Sequence, residues 1–149
     1  MDGYEVEKNV YSKLKTALRN AKNTLVLSGW NNKNAKDNNS HLEADFIIIS
    51  EHQRLIISIE VKKTFSKENL EQSKEQIKKQ LNLLQNHIPF PEKECWHHAG
   101  FTYFDVDEEP DNTIPNTLWK NTDMESWWRN WWLPYFKHSM IYEIGRAHV

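Results

Sequence analysis

Residues 42–63 read LEADFIIISEHQRLIISIEVKK. Two runs rich in β-branched residues, Leu42–Ser50 and Arg54–Lys63, flank the polar stretch SEHQR. That pattern predicts a β-hairpin. Alternation along the second strand puts Leu55, Ile57, Ile59 and Val61 on one face, and Ile56, Ser58, Glu60 and Lys62 on the other. The first set is wholly apolar and is expected to face the core. Glu60 and Lys62 then project together from the opposite face, at the strand's C-terminal end. In an antiparallel hairpin turning near His52, Asp45 at the start of the first strand comes beside Glu60. Two carboxylates and an ammonium are therefore expected to converge at one edge of the sheet.

The flanking sequence supplies layers for that sheet. From Gly3 to Ala21 the pattern is helical, with Val6, Val10, Leu14, Ala17 and Leu18 on one stripe. Asn23–Trp30 reads as a short strand, and Asn31–Ser40 as a polar loop without packing period. Asn69–Ile88 predicts a second helix, with Leu70, Ile77, Leu81, Leu84 and Ile88 as its stripe, broken by the prolines of IPFPEKE. Ala99–Val106 alternates like another strand. Asp107–Asn121 is an acidic, proline-containing loop, and an aromatic helix opens at Asp123 and stops near Pro134. The order is helix, three strands, helix, strand, helix, which predicts an α/β fold with a mixed central sheet flanked by helices.

At 149 residues the chain is one domain's worth. A net charge of −2 means that any contact with nucleic acid must come from a local basic patch. One cysteine, Cys95, excludes an internal disulfide framework and fits a reducing compartment. No segment has the make-up of a signal peptide, and no run approaches the roughly 18 apolar residues of a membrane span. These features imply a soluble, intracellular protein, cytoplasmic or nuclear, with no membrane partner. The last six residues, IGRAHV, read as the translation of a sequencing-adapter oligonucleotide. The expected organisation is one domain over 1–143, with a core over about 3–106, an aromatic helical region over 119–143, and an adapter-derived tail over 144–149. On that reading the natural chain continues past about Tyr142, with room for additional domains in the missing C-terminal region.

The carboxylates have chemical sense as a pair. Asp45 and Glu60 can hold Mg²⁺ or Mn²⁺, hard cations that want oxygen ligands and retain several waters. Such a metal polarises a phosphoryl oxygen and activates a bound water. Lys62 can orient that water or neutralise charge building on phosphorus. Glu7, at the edge of the first helix's apolar stripe, can add a hydrogen bond to a metal-bound water. Gln76 and Gln80 are long enough to reach a site edge. Lys63, Lys67 and Lys74, with Lys78 and Lys79, form a basic flank suited to phosphates, and Gln80 joins them as a nucleic-acid contact. His41 shares the face of Asp45 in an H-x-E-x-D pattern. CWHH at 95–98 offers three potential zinc ligands but no second cysteine to close a structural site. Trp127, Trp128, Trp131 and Trp132 fall at helical spacing, which favours packing onto the sheet over stacking on bases.

Asp45, fourteen intervening residues and then Glu60-Val61-Lys62 resemble the PD-(D/E)XK nuclease superfamily. More narrowly, Gly3 and Glu7 opening a helix, the acidic strand EADFIIIS, the strand SIEVKK and a helix bearing Gln76 resemble the nuclease-related domain called NERD. The resemblance covers about Gly3 to Val106. Two positions depart from it: Ala44 stands where many members have proline, and Val6 replaces a glycine often found before the helix glutamate. The resemblance implies a restriction-endonuclease-like αβββαβ core and metal-dependent cleavage of DNA phosphodiesters. It implies Asp45, Glu60, Lys62, Glu7 and Gln76 as catalytic residues. RNA is a further possible substrate, since the superfamily includes RNA-cleaving members, and a duplex cutter of this fold would gain from forming a homodimer. The alternative expectation is a catalytically inactive nuclease-fold domain that binds nucleic acid or scaffolds a larger protein.

Overall fold

The strand that ends on Glu60 and Lys62 lies at the centre of a five-stranded sheet. The computed structural model describes residues 3–31, 43–87 and 96–131. Its elements run α1 (Gly3–Ala17), β1 (Thr24–Asn31), β2 (Glu43–Ser50), β3 (Leu55–Lys62), α2 (Lys67–His87), β4 (His97–Phe104), β5 (Thr117–Trp119) and α3 (Met124–Trp131). The strands lie side by side in chain order. β1, β2 and β3 form an antiparallel meander, with Phe46 opposite Ile59 and Ile48 opposite Ile57. α2 then carries the chain over the sheet so that β4 joins β3 in parallel, and β5 joins β4 in parallel. The expected mixed α/β sheet with helical layers is what the chain forms.

Both faces of β3 are buried, and each belongs to a different layer. Leu55, Ile57 and Ile59 pack with Val6, Val10 and Leu14 of α1, Phe101 of β4, and Met124 and Trp128 of α3. Ile56, on the other face, packs with Ile47, Leu84 of α2 and Trp96. α2 sits close to the sheet because β4 carries Gly100 beneath it. A Cβ at that position would stand 2.1 Å from Cγ2 of Ile77. The tryptophans pack, as their helical spacing suggests. Trp127 and Trp131 each meet the ring of Phe101 edge-on at 5.1 Å, and Trp128 is buried. Trp132, His41 and Cys95 lie outside the described residues, as does the 132–149 tail.

β4 runs two residues earlier than the expected Ala99–Val106, and three other differences from expectation have local reasons. α1 stops at Ala17 rather than Ala21, and the chain turns through Asn23 in the left-handed region at φ 50°. α2 begins at Lys67 rather than Asn69 because Ser66 caps it. The Ser66 hydroxyl accepts from the Asn69 amide at 3.0 Å. Within the acidic stretch read as loop, Thr117–Trp119 pairs with Thr102–Phe104 as β5. Three residues beside Pro115 and a left-handed Asn116 are too few to show a period. α3 starts as expected, with Asp123 accepting from the amide of Ser126 at 3.1 Å. Among the described residues no helix is long and apolar enough to cross a membrane.

Candidate functional site

Glu60 lies near the C-terminal end of β3, on the face that α2 covers, and is 5 % exposed. Burying a carboxyl there is unfavourable unless its oxygens are satisfied. α2 supplies the partner: the amide of Gln80, 2 % exposed, donates to Glu60 Oε1 at 2.6 Å. The carbonyl oxygen of the same amide accepts from the hydroxyl of Ser58, two residues earlier on β3. Thr102, the β4 neighbour of Glu60, shares a 2.6 Å hydrogen bond with Ser73 of α2. Hydrogen-bonded polar groups thus form a seam between β3, β4 and α2, inside an otherwise apolar layer.

Asp45 closes the seam from β2. The β2–β3 ladder ends at Phe46–Ile59, and one step further Asp45 Oδ2 accepts from the backbone amide of Val61 at 2.8 Å. On its other side the β1–β2 ladder passes over the Gly29–Asp45 position, where Gly29 adopts φ 59°. A side chain at Gly29 would be strained in that conformation. Asp45 and Glu60 sense each other directly. Burial first, and then the negative charge of Asp45, push the Glu60 carboxyl up to about 7, while the bond from Gln80 pulls the other way. Two carboxyls so placed titrate as a pair rather than singly.

Lys62, two residues past Glu60 on the same face, reaches outward. Its ammonium donates to Oε1 of Gln76 at 3.3 Å, in an exposed position at the rim. Lys63, Lys67 and Lys74 are exposed, and Lys74 pairs with Glu71 at 3.9 Å. Asp45, Glu60, Lys62, Gln76 and Gln80 are therefore gathered at one end of the α2 layer. Glu7 belongs to the opposite layer, on the helix that covers the apolar face of β3, where it is half-buried. Gln80, expected beside the lysines as a nucleic-acid contact, is buried instead. It faces inward because Leu70, Ser73, Ile77, Gln80 and Leu84 form one buried stripe at alternating spacings of three and four. That spacing, together with the serines and threonine at matching phase, is the signal that could have revealed the seam. Ser58, Ser73 and Thr102 were not singled out from the sequence.

The donor set suits a hard divalent cation in kind. It consists of oxygens only, two of them carboxylates. Among the described residues no cluster of three or more His, Cys, Asp or Glu side chains forms. Two surface clefts, of about 380 and 460 Å³, lie between α1 and α3, and neither is lined by Asp45, Glu60 or Lys62. No family model, no curated protein and no solved structure matches this chain.

Proposed function

We propose that this chain is a Mg²⁺- or Mn²⁺-dependent nuclease that hydrolyses DNA phosphodiester bonds, built on a restriction-endonuclease-like core of the PD-(D/E)XK type. The observation that carries the reading is the meeting of Asp45 and Glu60 at the end of a buried polar seam, with Lys62 projecting two residues further on. A cation on the two carboxylates would polarise a phosphoryl oxygen and acidify a water. The chain's own groups do the rest. Gln80 fixes the Glu60 carboxylate and Ser58 fixes Gln80, so one oxygen of Glu60 is directed before substrate arrives. The amide of Val61 holds Asp45. Lys62, steadied by Gln76, offsets the charge that grows on the phosphate and orients the attacking water. Lys63, Lys67 and Lys74 meet flanking phosphates.

One observation favours the alternative of an inactive nuclease-fold domain. A protonated Glu60 beside Asp45 satisfies the pair without a cation. Cleavage of labelled single-stranded DNA, duplex DNA and RNA in Mn²⁺ separates the two readings. The nuclease cuts DNA, and Lys62→Ala, which leaves the buried seam intact, lowers the rate by about a hundredfold or more. Folded wild-type protein that cuts none of these substrates, or a Lys62→Ala variant that cuts at the wild-type rate, would overturn the assignment.

A further inference from the structure

Phe65 lies in the four-residue link between β3 and α2, three residues beyond Lys62. Among the described side chains it is the one Phe, Tyr or Trp ring left exposed, at 38 %. Its ring meets that of Phe104 in a T-shaped contact, with centroids 5.0 Å apart and planes at 78°. Phe104 is fully buried and is the direct β4 neighbour of Lys62, so the two lie one strand spacing apart, about 4.8 Å. The aromatic edge and the ammonium therefore occupy the same rim.

The link that carries Phe65 is tied down at both ends. The Asn69 side chain donates to the carbonyl of Thr64 at 2.9 Å and to its hydroxyl at 3.0 Å. The hydroxyl of Ser66 accepts from the Asn69 amide, and the carbonyl of Ser66 accepts from Leu70. Holding a large apolar ring partly in water on a tied loop forgoes burial worth about 25 cal/mol per Å². Exposed Lys63 and Lys67 stand on either side of it in sequence. A positive rim with an aromatic ring set into it is the combination that binds single strands: lysines take the phosphates, and a base lies on the ring. Bases inside a duplex are already stacked on their neighbours and present no free face.

The geometry points to Phe65 as a stacking platform for an unpaired nucleotide next to the scissile phosphate, which makes single-stranded or frayed DNA the preferred substrate. The preference rests on the nuclease reading, whereas the stacking itself does not require cleavage. The probe is a short single-stranded DNA carrying 2-aminopurine, whose fluorescence is quenched on stacking, mixed with the full chain in EDTA so that nothing is cut. Wild-type protein is expected to quench it. Phe65→Leu keeps an apolar cover on Phe104 but has no π face. It should lose the quenching and bind the single strand about tenfold more weakly. Phe65→Tyr should restore both, and binding of the matching duplex should stay unchanged in all three proteins.

Equal quenching by wild type and Phe65→Leu would overturn the proposal. So would a Phe65→Leu variant that loses single strand and duplex alike, and so would wild-type protein that binds no DNA. Cleavage in Mn²⁺ by wild type and Asp45→Asn reports separately on the nuclease reading. Phe65-dependent quenching without any cleavage would leave the stacking site standing and overturn the nuclease. Cleavage that requires Asp45 but shows no single-strand preference altered by Phe65→Leu would do the reverse.

Discussion

The two layers on either side of β3 are equally dry and differently made. Towards α1 and α3 the strand presents Leu55, Ile57 and Ile59, met by aliphatic and aromatic rings. Towards α2 it presents Ile56, Ser58 and Glu60, met by Ser73, Gln80 and Thr102. For stability alone the first solution is the better one, because each buried polar group must recover its lost hydration through a hydrogen bond of good geometry. The Glu60 carboxyl does not recover it fully, so burial first and the charge of Asp45 second push it up to about 7. The difference teaches where to look for chemistry: the layer whose make-up is unfavourable for folding is the first candidate for a site.

The apolar layer should break most heavily when its aromatic contacts are removed. Phe101 touches Trp127 and Trp131 and is 5 % exposed. Phe101→Ala is expected to lower the unfolding free energy by about 3–5 kcal/mol. Denaturant melts should show that loss nearly constant across pH, since no titrating group is removed.

The polar layer should respond in the opposite sense. Because the folded-state value of Glu60 is raised from 4.5 to about 7, its favourable contribution is complete below 4.5 and is lost as pH rises through about 7. Glu60→Gln removes a carboxyl that must ionise in a buried place. The variant should therefore be more stable than wild type above pH 7, by on the order of 3 kcal/mol, and should lose cleavage. His97 and His98 act against Glu60 in an overlapping window. Burial holds both below 6.5, helped in His97 by the charge of His98, so their contribution is lost as pH falls below that value. The difference between wild type and Glu60→Gln, followed by melts across pH, isolates Glu60. A difference that does not change with pH would contradict the shared carboxyl pair.

A smaller effect tests the spacing between the layers. Gly100→Ala places a methyl against Ile77 and should cost about 1–3 kcal/mol as α2 shifts outward. Since α2 carries Gln80, the same change should lower cleavage more than Phe101→Ala does in protein that remains folded. Equal losses in the two variants would show that the seam does not depend on how closely α2 lies.

The hairpin was legible because a period of two leaves few alternatives. Alternation set Glu60 and Lys62 on one face of β3, and the meeting of Asp45 with Glu60 followed from the position of the turn, but the face expected to be open is buried under α2. The rotation of α2 was not legible in the same way. Gln80 differs from Gln76 only by one helical turn, yet Gln80 lies in the seam and Gln76 at the rim. What decides between them is the stripe of Leu70, Ser73, Ile77, Gln80 and Leu84, two of whose members are polar and do not stand out among apolar residues. β5 escaped because three residues carry no period and its pairing with β4 is long-range. The basic flank was drawn from charge alone, and charge does not show that Lys74 is paired with Glu71.

The most direct test of the polar seam's purpose is Mn²⁺ binding, followed by the resonance of the free ion, in wild type and in Asp45→Asn. The amide of the variant can still accept from Val61, so the fold is kept while one carboxylate is lost. The expected result is one bound ion in wild type and none in the variant at the same concentration. No binding by either protein, or equal binding by both, would contradict a metal site at Asp45 and Glu60 and return the seam to a structural role.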